Sequence, residues 1–157
     1  MCVVVKRIVC LSLCALVLVF SLVACSSSTS RSYTFNVETG DSVNVSMVDT
    51  DGYHLSQSNV DGVTFLVKGT DETKQVAGGI FIGKENGASL LSTVSASGTV
   101  FSHKSLRDCY ERTYNDGTNN ITGFIGIISD NTYILVDYNC DKALAEKLFN
   151  ALSFSIE

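Results

Sequence analysis

Hydrophobic positions fall into three regimes along this chain. Residues 8–24 form an apolar run broken only by Ser12 and Ser21. From Tyr33 onward the dominant period is two: Tyr33, Phe35 and Val37 alternate with polar residues, and Val43, Val45 and Met47 repeat the pattern. Such alternation puts one side of a segment in a core and the other in water, which predicts half-buried strands. Asp51-Gly52 and Asp61-Gly62 interrupt it with residues that tolerate positive φ, as tight hairpins require. Strands are expected at 53–58 and 63–67. A further apolar run at 76–82 contains Gly78 and Gly79, a sign of a bulge or of a close backbone approach.

The period then changes. Ala88, Leu91 and Val94 recur every three residues, which predicts a helix over 85–94 with Gly98 as its stop. Residues 105–114 fit both periods, since Leu106, Cys109, Tyr110 and Thr113 sit at helical offsets while Leu106, Tyr110 and Tyr114 share a strand face. Asp116-Gly117 and the apolar segment after it favour a strand and a hairpin. Residues 121–128 read as a strand holding Gly123 and Gly126, Ser129-Asp130-Asn131 as a turn, and 133–138 as the next strand. Asp141 opens a helix over 141–151, where its carboxylate caps free N–H groups. Leu144 and Leu148 mark the buried stripe, Leu152 continues it, and Leu152, Phe154 and Ile156 alternate in a closing strand. Leu144, Leu148, Leu152 and Phe154 are all expected in the core.

Composition narrows the class. The 157 residues amount to one domain at the usual ~100–200 residues each. With 45% hydrophobic and 17% charged residues, the chain is too apolar for disorder and too lightly charged for a coiled coil. Residues 1–24 carry Lys6 and Arg7 and no acid, leaving 9 bases against 16 acids, a net of −7. An acidic body repels phosphate backbones, so nucleic acid is not an expected partner.

The first regime is an address. Its 17 residues lie between the ~7–15 of a cleavable apolar region and the ~20 of a spanning helix, so the flank decides. Leu22-Val23-Ala24-Cys25 closes the run, and Ser26, Ser27, Ser28, Thr29 and Ser30 follow. This tetrapeptide resembles the lipobox of bacterial lipoproteins. The resemblance implies cleavage before Cys25, acylation of its thiol, and anchoring on a membrane without spanning it. The expected organisation is a signal peptide at 1–24, an acylated Cys25 with a Ser-rich tether at 25–32, and one α+β domain at 33–157. The location is then extracytoplasmic. Cys2, Cys10 and Cys14 leave with the leader.

The order of elements over 106–157 is similar to the C-terminal half of the PsbP-like family, whose chains end in a helix and a short Ser-Phe strand. The resemblance implies an α/β/α sandwich around a mostly antiparallel central sheet. Members of that family are extrinsic subunits of photosynthetic complexes or small binding proteins. None of their functional residues can be placed here.

Candidate chemistry is sparse. Cys109 and Cys140 are the thiols beyond the anchor, and in an exported chain such a pair reads as a disulfide. In a strand meander, however, they fall at opposite ends of strands one and three, well over ~10 Å apart by strand rise. Either the Cys109 segment is helical or strongly bent, or the thiols stay reduced. Asp49-Thr50-Asp51-Gly52 opens like a calcium loop, but its glycine is fourth and position twelve is Val60, so a hairpin turn is expected. His54 and His103 have no Cys or His at ligand spacing and read as structural residues. Gly123-Phe124-Ile125-Gly126 reads as strand packing, because no helix start follows it. Tyr110, Tyr114, Tyr133 and Tyr138 either line a groove or pair across strands, the latter being favoured. No cofactor or metal site is expected. The chain reads as a non-enzymatic binding or accessory module for an envelope protein or a small molecule. A small secreted hydrolase is the rival, and a Ser–His contact or converging acids in a pocket would favour it.

Overall fold

The computed structural model describes residues 28–71 and 74–157. The leader and Leu22-Val23-Ala24-Cys25 lie outside the described residues. The domain is a mostly antiparallel β structure with two helices.

Ser30–Asn36 (β1), Ser42–Val48 (β2) and the closing strand Leu152–Ile156 (β10) form a three-stranded sheet in the order β1-β2-β10. A second sheet has seven strands: Tyr53–Gln57 (β3), Phe65–Gly69 (β4), Gln75–Gly83 (β5), Thr99–Val100 (β6), Arg107–Asn115 (β7), Asn120–Ile127 (β8) and Thr132–Tyr138 (β9). Their order is β3-β4-β5-β9-β8-β7-β6, with every pair antiparallel. The first helix, Lys84–Ser95 (α1), leaves β5, and the second, Lys142–Ala151 (α2), joins β9 to β10.

Alternation explains the layers. Ala77, Phe124, Val136 and Tyr138 point to one face of the large sheet, where the three-stranded sheet and α2 bury Val43, Val45, Met47, Leu148, Phe149 and Leu152. Tyr133 has opposite parity, and α1 rests on that other face. Gly87 of α1 sits so close above Tyr133 that any side chain there would strike the ring. Gly79 works likewise on the core face, where the Phe65 ring covers it. Gly78 and Gly79 stay in register with β4, and side chains, Val63 over Gly78 and Phe65 over Gly79, take the place of the bulge or close backbone approach expected there.

The turn chemistry follows the sequence. Asp51 and Gly52 both have positive φ, +52° and +76°, and form the corner between the two sheets. The strand expected over 105–114 forms as Arg107–Asn115, with Ser105 and Leu106 left in the preceding loop. The 85–94 helix is one turn's fraction longer, and Asp141 caps α2 by accepting the Leu144 N–H at 3.0 Å.

Two boundaries differ from the sequence reading. β1 begins at Ser30, inside the segment assigned to the tether, because Ser30, Ser32 and Thr34 are simply the exposed half of an alternating strand. In α2 the buried positions are Ala145, Leu148 and Phe149, whereas Leu144 is half-buried. The helix thus turns a 145/148/149 stripe inward, and the four-residue spacing from Leu144 slants off it.

Candidate functional site

A cleft of about 610 Å³ opens between the β1–β2 turn, the β3–β4 loop and β5. One wall is the β1–β2 turn, residues 36–39. Another is the β3–β4 loop, residues 62–64. The floor is Ile80, Phe81 and Gly83 of β5, and Asn86 of α1 closes one side. The volume falls in the usual ~300–1,000 Å³ range of ligand clefts. Glu38 at its rim is the one charged side chain in the lining; the rest are apolar or neutral polar groups.

The turn wall is held firmly. Asp41 accepts hydrogen bonds from the hydroxyls of Ser129 (2.5 Å) and Thr132 (2.6 Å), and the Thr39 and Thr132 hydroxyls meet at 2.6 Å. These bonds hold the Asp41 carboxyl below its ordinary range. They tie the β1–β2 turn to the β8–β9 turn, so the cleft mouth is fixed by groups far apart in sequence.

A shallower groove of about 460 Å³ runs between α1 and β7, lined by Leu91, Ser92, Asp108, Tyr110 and Tyr133 among others. Asp108 has φ +43° and lies in a register shift between Arg107 and Tyr110. The shift is a bulge: three steps on β7 oppose two on β8.

Farther along that sheet face, Tyr114 donates to Asp137 at 2.9 Å, and the Arg112 guanidinium lies 4.6 Å from the centre of the Tyr114 ring. Burial raises the Asp137 pKa above the ordinary carboxylate value. Gly123 lies beneath both charged groups, where a side chain would collide with the Asp137 carboxylate. Sequence reasoning passed over this trio. Its available signal was a glycine inside a strand, flanked on neighbouring strands by charged residues of the same parity.

The residues singled out from the sequence are scattered. Tyr110, Tyr114 and Tyr133 share the α1 face of the sheet, while Tyr138 is buried in the core against Phe124 and Phe149. The four therefore line no common groove. Cys109 is buried and Cys140 half-buried, and both are free thiols. Burial raises the Cys109 pKa to about 12 and the Cys140 pKa to about 11, so neither forms thiolate readily. Among the described residues, no group of three His, Cys, Asp or Glu stands together as a metal site.

His103 does meet a serine. Its Nδ1 accepts from the Ser105 backbone N–H at 3.3 Å and lies 3.3 Å from the Ser105 hydroxyl. Its Nε2 bonds the Phe149 carbonyl at 3.1 Å, and Ser105 Oγ accepts the Phe154 N–H at 2.9 Å. Both groups are thus spent on backbone: one caps the end of α2, the other pins β10. Phe149 and Phe154 flank the imidazole, with ring centres 4.7 and 5.7 Å away, and neither His103 nor Ser105 lines a cleft described above. The contact is a clamp between the β6–β7 loop and the C-terminal unit.

No family model, curated protein or solved structure matches the chain.

Proposed function

We propose that the chain is a bacterial envelope lipoprotein, held to the membrane through acylated Cys25, whose domain is a non-enzymatic binding or accessory module. The observation that carries this reading is Leu22-Val23-Ala24-Cys25 at the end of an apolar run, five residues before β1. So short a connection keeps the domain within ~20 Å of the bilayer surface at ~3.5 Å per residue. Among the described residues no helix is long and apolar enough to cross a membrane. The binding part of the reading is supported by the open, nearly uncharged cleft, whose surfaces suit a neutral ligand. One helix on each face of a mostly antiparallel sheet supports a PsbP-like α/β/α arrangement.

Metabolic labelling with a radioactive fatty acid tests the anchor. The wild-type chain should take up label and be shortened, while Cys25→Ser should remain an unlabelled precursor. Label retained by the mutant refutes the reading.

A further inference from the structure

We infer that the cleft binds an extended segment of a partner polypeptide, which adds as a strand to the open edge of β5; this rests on the reading of the domain as a binding module.

The backbone parity of β5 shows which groups are open. The Asn139 N–H donates to the Val76 carbonyl at 2.8 Å, which sets the phase of the β5–β9 ladder. Gly78, Ile80 and Ile82 follow Val76 in hydrogen-bonding β9, and Ala77, Gly79, Phe81 and Gly83 turn their N–H and C=O toward the β4 side. On that side β4 covers only part of the strand. Phe65 pairs with Gly79, and the Gly79 carbonyl accepts the Thr64 N–H at 2.8 Å. Beyond this point the chain turns away. Val63 folds over Gly78, with its Cγ1 3.2 Å from where a Gly78 Cβ would be. The Phe81 N–H and C=O and the Gly83 N–H consequently face the cleft, with no partner among the described residues.

An open edge is ordinarily guarded by charge, proline or a bulge. Residues 80–83 have none of these, and the chain contains no proline. The protection here is steric: the β1–β2 turn and the β3–β4 loop flank the edge, and Thr39 Cγ2 lies 3.6 Å from a Gly83 Cβ position. A slot of this kind excludes the walled edge of a second copy but admits a single flexible strand. A residue paired with Phe81 would set its side chain beside Phe81 and Val37, and its neighbour beside Ile80 and Val63. Both places are apolar, so neutral, apolar side chains are expected on the guest.

In the anchored chain the tether is too short to be the guest: five residues separate Cys25 from Ser30, and the cleft wall lies at the other end of β1, ~20 Å away at ~3.3 Å per residue. In the anchored protein the slot therefore opens away from the membrane, where another polypeptide can reach it. Strand addition supplies main-chain hydrogen bonds for affinity and alternating side-chain pockets for specificity.

The test uses the full chain purified in mild detergent and a phage library of random twelve-residue peptides. Selected peptides, made synthetically, should slow exchange of the Phe81 and Gly83 amides at least tenfold by NMR. Ile80 and Ile82, already bonded to β9, should not change. Methylating alternate peptide amides should weaken binding at least tenfold. Peptides that bind without protecting Phe81 and Gly83, or a library that yields no binder, overturn the inference. Chitotetraose serves as the second probe: if it alone fills the cleft, the strand inference falls and the binding module stands. If neither probe binds there, both fall. Fatty-acid labelling of Cys25 is independent of all these results.

Discussion

The rings of Phe124 on β8 and Phe149 on α2 stack 4.2 Å apart and 9° from parallel. Both side chains are fully buried, and Phe101 and Tyr138 meet the Phe124 ring edge-on at 4.8 and 5.8 Å. This aromatic cluster fastens α2 to the large sheet. Aromatic pairs so arranged add ~0.5–1.5 kcal/mol beyond the area they bury.

Truncating the helix side of that contact should be severe. Phe149→Ala is expected to cost ~3–5 kcal/mol and Leu148→Ala ~2–5, against a total of ~5–15 for a domain. Lys147→Ala, one residue away, removes only an exposed ion pair with Asp51, so its urea midpoint should stay near wild type. Equal midpoints for Leu148→Ala and Lys147→Ala would mean that α2 does not present Leu148 to the core.

Stability should fall on mild acidification through His103. Burial is the chief cause that lowers its pKa from 6.5, and nearby Lys104 adds to the effect. The unfolded chain therefore gains a proton that the folded chain refuses. The stability is complete above the unfolded value of ~6.5, declines as pH drops below it, and levels off beneath the folded value. Asp137 has the opposite slope: its raised pKa favours the folded state in acid, and that benefit is lost as pH climbs through the folded value. Urea midpoints of wild type between pH 8 and 5 should decline more steeply than those of His103→Gln. Parallel curves would refute the assignment.

The difference between pattern and position runs through the whole chain. Asp51-Gly52, the Asp141 cap and the alternation of β1, β2 and β10 were legible because each is dictated by neighbours in sequence. The helix stripe was legible only in part, since Leu144 and Phe149 are equally apolar and only the angle of α2 on the sheet chooses between them. The cleft was not legible at all. It depends on where β4 stops pairing with β5 and on the bond between Asp41 and the 129–132 turn, 88 residues away at Ser129. Backbone edges leave no mark in side-chain hydropathy.

The N-terminal boundary gives a direct check on this distinction. A Ser-rich stretch reads as tether by composition, yet Ser30, Arg31 and Ser32 pair with Val48, Met47 and Ser46. The Asp49 N–H also donates to the Thr29 carbonyl at 2.9 Å. A chain starting at Thr29 should melt cooperatively. One starting at Tyr33 should melt several degrees lower, having lost three pairings of β1. Identical melting temperatures would return 30–32 to the tether.

The two remaining thiols should be found reduced, for a reason of topology. Cys109 packs beside Gly126 on β8, 3.4 Å from a Gly126 Cβ position, and Gly126 pairs with Ile134 of β9. Cys140 lies six residues beyond Ile134, ~20 Å along the strand direction at ~3.3 Å per residue. β8 also separates β7 from β9, adding a sideways gap of ~9–10 Å at ~4.8 Å per strand. A disulfide tolerates a Cα separation of at most ~7 Å. The chain starting at Thr29, alkylated in denaturant without reductant, should therefore gain two labels by mass. In the native state at pH 8, labelling should be slow at both sites and slower at Cys109, whose thiol is the more deeply buried and has the higher pKa. No label in denaturant before reduction, and two after it, would show a bond between Cys109 and Cys140. The order of β7, β8 and β9 would then have to be redrawn.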